Sequence, residues 1–213
     1  MHPNWNLPMP GAFGPPSQVV LWEDFVNPVI SSVVAGEMDL APWLITPATA
    51  AGTVGTGHGG EVITTFNATE TGLTPTNKAF ECAAGRTIYW ETRVQQSSLT
   101  PVGYYGLALN GTPSDDDDAA IFWTTTLTGV LIPTVSRANA DLTATTTAAI
   151  VAATYVTLAI RIIGLDRTIF YVNGAKVGEI ASTPAPGVNI APVNALSAAG
   201  TFTTDYILVI ADR

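Results

Sequence analysis

Cysteine is almost absent from this sequence, and charged residues are scarce. The one cysteine, Cys82, excludes an intramolecular disulfide, so we expect packing to hold the fold and Cys82 to be a core thiol. Charged residues make up 12% of the 213 residues, against about a quarter in ordinary globular chains. There are 8 Lys and Arg against 17 Asp and Glu, a formal net charge of −9. That balance excludes a nucleic-acid partner held by cationic contacts with phosphates.

Long apolar runs are missing as well. The longest, around Val156 to Leu165, is interrupted by Thr157, Arg161 and Gly164 and falls short of the ~18 residues of a membrane-spanning helix. We therefore expect no membrane partner. The opening residues MHPNWNLP contain neither a basic stretch nor an apolar core, so we expect no secretory signal peptide.

What the sequence does contain is short apolar stretches that alternate with polar residues and are bounded by Gly, Pro, Asn and Asp. No window carries the apolar stripe of a helix, so we predict an all-β fold, an antiparallel two-sheet β-sandwich. The predicted strands are Glu61–Phe66, Thr87–Val94, Tyr104–Asn110, Ala119–Thr124, Val130–Val135, Asp141–Thr147, Tyr155–Ile163 and Thr204–Ile210. In Thr87–Val94 the alternation places one set of side chains in the core and the set Tyr89, Glu91 and Arg93 in solvent.

The strongest local signal is a hairpin across Thr168–Ile180. Its Asn173–Gly174 pair supplies the two positive φ angles of a type I′ turn. The last strand, Thr204–Ile210, is predicted to be central in its sheet. Thr46–Gly60 is rich in Ala, Thr and Gly and is predicted to be a long loop, whereas Ala148–Ala153 suits either one helical turn or a bulged connection.

Residues 1–18 are predicted to form an extended N-terminal arm that precedes one domain over residues 19–213. The prolines of this segment remove backbone donors and fix φ, which excludes a helix or a central strand. Four large apolar side chains are spaced along it: Trp5, Leu7, Met9 and Phe13. They either bind a groove on a partner protein or pack back onto the arm's own domain.

Several segments follow one another in a familiar order. A strand carrying Tyr89 and Trp90 is followed by Tyr155–Ile162, then by the hairpin FYVNG…VG, and finally by the strand DYILV that starts at Asp205. This order resembles the concanavalin A-like lectin/glucanase jelly rolls, and the resemblance implies a two-sheet sandwich.

Within that class the chain is similar to LamG-type modules of phage virions, in head decoration (cement) or fibre proteins, which are also rich in Ala, Thr and Gly and poor in Lys and Cys. This resemblance implies a protein made in the host cytoplasm and located on the capsid surface of the virion. It also implies a major capsid protein or another virion protein as partner, and a homotrimer.

Glucan-cleaving enzymes that the chain resembles carry Glu-x-Asp-x-x-Glu on one strand. Here Glu37 and Asp39 are followed by Pro42 in place of the third acid, and proline supplies no proton. The other acids show no pairing in sequence, and the chain has little material for a catalytic pair. We therefore predict that the protein is not an enzyme and has no catalytic residues.

No cofactor is expected. Asp115, Asp116, Asp117 and Asp118 form a run that is either a solvated acidic loop or a weak calcium site, although EF-hand spacing is absent. His2 and His58 have no second ligand at zinc spacing, so we expect both to be exposed loop histidines.

Aromatic residues offer a glycan-binding alternative. Trp22, Trp43, Trp90 and Trp123 either form a sugar-stacking platform or fill the core, and the alternation favours the core for Trp90. Tyr104 and Tyr105 are the candidate glycan contacts, because one of two adjacent strand residues must face outward.

Together these features favour a non-enzymatic virion structural module that docks through its arm and a sheet face. The alternative is a lectin-like module that binds host-surface glycans, and a glycoside hydrolase comes third.

Overall fold

The computed structural model describes residues 18–23, 30–34, 37–40, 43–46, 52–56, 62–66, 71–75, 80–109, 118–138 and 140–212. These residues form eighteen strands: β1 (Gln18–Glu23), β2 (Ile30–Val34), β3 (Glu37–Leu40), β4 (Trp43–Thr46), β5 (Gly52–Thr56), β6 (Val62–Phe66), β7 (Thr71–Pro75), β8 (Phe80–Glu81), β9 (Thr87–Gln96), β10 (Gly103–Ala108), β11 (Asp118–Thr124), β12 (Leu131–Arg137), β13 (Ala140–Thr143), β14 (Val156–Ile163), β15 (Arg167–Val172), β16 (Ala175–Ile180), β17 (Asn189–Leu196) and β18 (Gly200–Asp212). Within these residues there is no helix that could cross a membrane.

The strands form two antiparallel sheets, which confirms the predicted all-β sandwich. Sheet A runs in the order β16-β15-β14-β9-β18-β6-β5, with β1 also paired to β18. Sheet B runs in the order β13-β12-β11-β10-β17-β7-β4-β3-β2, with β8 also paired to β17.

The core lies between the sheets, and the alternation that builds it is strictest on β9. On β9 every second side chain is buried, with Trp90 fully enclosed, as the alternation predicts. Phe122 of sheet B meets Phe170 of sheet A edge to face, with 5.2 Å between ring centroids. Because such pairs add to the free energy of apolar burial, this contact helps to fix the two sheets together.

Polar contacts of Asn194 also join the sheets. The Asn194 side-chain amide on β17 donates to the hydroxyls of Thr92 (3.3 Å) on β9 and Thr204 (3.1 Å) on β18, and all three residues are fully buried. Burying an amide nitrogen is costly unless it donates hydrogen bonds, so these bonds help to fix where β17 lies over sheet A, while the Asn194 Oδ1 has no partner in the described part of the chain.

The hairpin and the last strand agree with the predictions. Asn173 and Gly174 have φ of 50° and 78° between β15 and β16, as a type I′ turn requires. β18 is central in sheet A, between β9 and β6.

The structure differs from the prediction in one segment and selects between two predicted conformations in another. The predicted loop Thr46–Gly60 contains strand β5, which pairs with β6 in the register Thr53 with Thr65. Backbone hydrogen bonds to a neighbour stabilise this strand although its side chains are small. Ala148–Ala153 is a bridged connection, in which Ala149 pairs with Val130, and not a helical turn.

The predicted arm cannot be compared with the fold. Residues 1–17, including Trp5, Leu7, Met9 and Phe13, lie outside the described residues, and β1 begins at Gln18. The division into an arm and one domain remains a prediction.

Candidate functional site

A group of aromatic and charged side chains lies on the outer face of sheet A. We call it the Glu91 cluster, and its members are half-buried: Tyr89, Glu91, Arg93, Tyr155, Thr157, Asp205 and Tyr206. They come from β9, β14, β18 and the residue that precedes β14.

The local fold explains why these side chains converge. Because Trp90 and Thr92 point into the core, Tyr89, Glu91 and Arg93 must point outward. On β18 the pairing with β9 shifts between Thr204 and Tyr206, and Asp205 is the extra residue of this bulge. A bulge redirects side chains at the point where it occurs, and here it brings Asp205 and Tyr206 beside Arg93.

Glu91 is held by two phenols. Tyr206 donates to Oε1 of Glu91 at 2.7 Å, and Tyr89 donates to Oε2. The Thr157 side chain is hydrogen-bonded to the Tyr206 hydroxyl in turn. Burial, followed by the hydrogen bond to Glu91, raises the pKa of both phenols well above the ordinary tyrosine value. Both therefore stay protonated donors across the physiological pH range.

Arg93 has two partners on the same face. Its guanidinium forms an ion pair with Asp205 and lies over the Tyr155 ring, 4.1 Å from the centroid. The Arg93 and Asp205 side chains are 40% and 26% exposed. At that exposure the pair contributes little stability, but the stacking and the ion pair hold the guanidinium in one orientation.

This arrangement suits a polyhydroxylated ligand. A carboxylate has about four acceptor positions, and the two phenols occupy two of those on Glu91, so the others remain for ligand hydroxyls. Tyrosine rings supply apolar faces beside them. Glu91 and Asp205 also place two carboxyl groups on one face, the residue types with which glycosidases cleave their substrates.

The predicted glycan contacts lie elsewhere. Tyr105 is fully buried in the core and donates to Gln96 Oε1 at 3.1 Å, so its side chain offers no surface to a ligand. Tyr104 does face outward from sheet B, where its ring lies 6.1 Å from that of the half-buried Trp123. Tyr104 is itself only 6% exposed, and Trp123 donates its indole N–H to Thr134.

The partial glucanase motif lies far from this cluster. Glu37 and Asp39 are on β3, next to the edge strand β2 of sheet B, whereas Glu91 and Asp205 are in sheet A. Position 42 and the side chains of β3 lie outside the described residues.

The other candidate residues are placed as follows. Asp118 is buried at the start of β11, where it accepts a 3.1 Å hydrogen bond from the backbone of Ala185, while Asp115, Asp116 and Asp117 lie outside the described residues. His2 and His58 also lie outside them.

Cys82 is a buried core residue, as predicted, and burial raises its pKa to about 11. In the described part of the chain no three His, Cys, Asp or Glu side chains are grouped to hold a metal.

The sequence predicted the outward direction of three of the seven members of the Glu91 cluster but did not identify them as a site. The alternation in β9 placed Tyr89, Glu91 and Arg93 on the solvent side. Asp205 and Tyr206 were missed because they join the cluster only through the pairing of β9 with β18, more than a hundred residues away.

No protein-family model matches the chain, and a search of curated proteins finds no match in sequence. Solved structures do share its fold. One is an endo-1,3-beta-glucanase from Streptomyces sioyaensis, with a TM-score of 0.65 at 11% identity, covering 93% of this chain and 98% of that one. Another is a beta-1,3-glucanase from Mycobacterium marinum, with a TM-score of 0.57 at 14% identity, covering 89% and 97%. A third is the carbohydrate-binding module CBM66 from Bacillus subtilis, with a TM-score of 0.50 at 13% identity, covering 77% and 92%.

These likenesses correct one prediction and leave another without support. The prediction that the protein is not an enzyme is contradicted, because proteins that share its fold include named glucanases. The reasoning failed because a low overall charge does not prevent two carboxyls from meeting on one face. The phage resemblance finds no support among the similar structures. The chain has the jelly-roll fold of glucanases and a carbohydrate-binding module, and at this identity the likeness extends to the fold alone.

Proposed function

We propose that the chain recognises a saccharide at the Glu91 cluster on the outer face of sheet A. The observation that carries the proposal is the Glu91 carboxylate held by Tyr89 and Tyr206, beside a guanidinium fixed by Asp205 and Tyr155. Oriented acceptors and donors next to aromatic rings are what a sugar ring requires of its site. Support also comes from the fold, which the chain shares with proteins named for carbohydrate binding and glucan cleavage.

The tyrosines and the arginine have different proposed roles in ligand binding. Tyr89 and Tyr206 fix the direction of the Glu91 oxygens, so that ligand hydroxyls meet an acceptor whose side-chain entropy has already been lost. The N–H groups of Arg93 that do not bind Asp205 can donate to a ligand, and stacking on the Tyr155 ring restricts the orientation of the guanidinium.

The test is binding of soluble oligosaccharides, measured by calorimetry. A β-1,3-glucan fragment is the first probe because two similar structures carry that specificity in their names. A panel of neutral and acidic oligosaccharides follows it. Glu91→Gln keeps the side-chain size but removes the charge, and we expect affinity to fall by roughly 10-fold or more, as for a lost hydrogen bond to a charged group.

Trp123→Phe is the matched control, because it alters an aromatic residue on the outer face of the opposite sheet. We expect it to leave binding unchanged. If Trp123→Phe abolishes binding and Glu91→Gln does not, the saccharide lies on sheet B, beside Tyr104, and the proposal is wrong. Absence of binding by every saccharide at millimolar concentration would also overturn it.

Glycoside hydrolysis at the same face is the second candidate. Glu91 and Asp205 are two carboxyl groups on one surface, and cleavage needs one to protonate the glycosidic oxygen while the other acts as nucleophile or activates water. Release of reducing ends from a β-1,3-glucan, lost in both Glu91→Gln and Asp205→Asn, would support it. Binding without any release of reducing ends would restrict the function to recognition.

A further inference from the structure

Two donor side chains lie next to the Glu91 cluster and are not used by it. Arg161 on β14 is exposed and lies directly opposite Tyr89 of β9, and opposite Ile169 of β15. Tyr171 on β15 is half-buried and lies opposite Ala159. Both side chains are on the outer face of sheet A. They lie diagonally across the β14–β15 pair, because Arg161 is opposite Ile169 and Tyr171 is opposite Ala159.

In the described part of the chain Arg161 has no ion-pair partner and Tyr171 has no hydrogen-bond partner, although Tyr171 lies near enough to Tyr89 to contribute to the raised pKa of that phenol. Other basic residues of sheet A are paired: Arg93 with Asp205, and both Arg167 and Lys176 with Glu179. An unpaired arginine in the middle of a sheet is unexpected in a chain with 17 acidic and 8 basic residues.

The outward-facing residues directly between the two donors are apolar. Ala159 and Ile169 lie between them and are only 4% and 7% exposed. Ala159 is also the direct neighbour of Glu91 across β9 and β14, so a ligand that contacts Glu91 extends naturally over Ala159 toward β15. Adjacent strands are about 4.8 Å apart, so the path from β9 to β15 measures about 10 Å.

We infer that Arg161 and Tyr171 form a subsite for the anionic group, a carboxylate or a sulfate, of an acidic saccharide bound across sheet A. This inference rests on the proposed function and names its ligand class. A guanidinium binds a carboxylate or sulfate through two parallel N–H bonds, and the tyrosine hydroxyl adds a third donor. The negative charge on Glu91 disfavours an anion above β9 and thereby directs it to the Arg161 side.

The experiment compares three oligosaccharides of equal length and linkage, one neutral, one carrying uronic-acid carboxylates and one carrying sulfate esters. Binding of each is measured by calorimetry at fixed ionic strength. We expect at least 10-fold tighter binding of one acidic ligand over the neutral one. Which of the two binds more tightly identifies the anionic group.

Arg161→Gln is expected to remove that preference while leaving the affinity for the neutral ligand within 2-fold of wild type. Tyr171→Phe is expected to reduce the preference without abolishing it. Arg137→Gln is the matched control, because Arg137 is exposed on sheet B and its loss changes the net charge by the same amount.

The outcomes separate the inference from the proposed function. Equal binding of neutral and acidic ligands, unaffected by Arg161→Gln but weakened by Glu91→Gln, overturns the inference and leaves the proposed function standing. Equal losses in Arg137→Gln and Arg161→Gln also overturn it, because they indicate a bulk charge effect. Failure of all three ligands to bind overturns both.

Discussion

Tyr206 donates a 2.7 Å hydrogen bond to Glu91 across 115 residues of chain, and it joins the two central strands of sheet A on their outer side. The same carboxylate is held from its own strand by Tyr89. Glu91 therefore has a fixed orientation that depends on β18 being paired in register. The proposed saccharide binding at this face therefore depends on the integrity of sheet A.

Stability should fall at alkaline pH. Burial and the bond to Glu91 raise the pKa of Tyr89 and Tyr206, and burial raises that of Tyr105, above the value of about 10 in an unfolded chain. Below pH ~10 the phenols are protonated in both states, so their contribution is fully present. As the pH rises above ~10 the unfolded chain loses protons that the folded chain keeps, and the free energy of unfolding falls.

Urea unfolding at pH 8, 9.5 and 11 measures this loss. Tyr206→Phe removes one of the three phenols and should make the decline between pH 9.5 and pH 11 shallower, whereas Trp123→Phe should not. An unfolding free energy that stays constant to pH 11 in the wild type would contradict the raised pKa values.

Cys82 should resist alkylation in the folded protein. Burial raises its pKa to about 11, so very little thiolate exists at pH 8, and the side chain is 1% exposed. We expect labelling by iodoacetamide at pH 8 to be at least 100-fold slower in the native protein than in 8 M urea, followed by mass spectrometry. Native labelling as fast as in urea would show that the region around β8 opens readily.

Two glycines should respond very differently to alanine. A Cβ at Gly174, in the hairpin turn, meets no atom within 4 Å, so only the positive φ of 78° opposes it and the cost should be about 1 kcal/mol. A Cβ at Gly106 on β10 would lie 2.3 Å from the Ala120 carbonyl oxygen. That clash with backbone should cost about 3 kcal/mol or more.

Thermal unfolding of Gly174→Ala and Gly106→Ala against wild type provides the comparison. If both variants lose the same stability, β10 and β11 can move apart at little cost and their close approach does not require glycine at position 106.

Asn194 should contribute measurably to the free energy of unfolding. Replacement by alanine removes both hydrogen bonds that join β17 to sheet A, and leaves the Thr204 hydroxyl buried without that partner. We expect a loss of about 1–3 kcal/mol in the free energy of unfolding, measured with urea. A loss below about 0.5 kcal/mol would mean that the buried amide has no net stabilising role.

Local patterns predicted the elements that depend on local chemistry. The Asn173–Gly174 turn and the alternation of β9 are encoded within a few residues, and both are found in the structure. β5 was missed because its small side chains carry no periodic signal and its strand conformation comes from pairing with β6.

Tyr105 shows a different limit of sequence-based prediction, which concerns the face of a strand that is exposed to solvent. All six residues of β10 are buried, so the rule that adjacent strand residues face opposite sides correctly separates Tyr104 from Tyr105 but does not say which side meets solvent. The Glu91 cluster shows a third limit, because the Asp205 bulge that completes it is a property of the β9–β18 pairing and not of either strand alone.

The central position of β18 has a consequence for how the chain folds. In the described part of the chain, residues 200–212 pair with β9, β6 and β1, and no other segment links β9 to the other two strands. During synthesis, therefore, β9 with β14–β16 and β6 with β5 cannot join into one sheet until residues 200–212 have left the ribosome. Until then the strand edges that β18 pairs with are unpaired. Contacts between residues so distant in sequence slow folding. We expect the unpaired edges of β9 and β6 to be sites where the incomplete chain can aggregate.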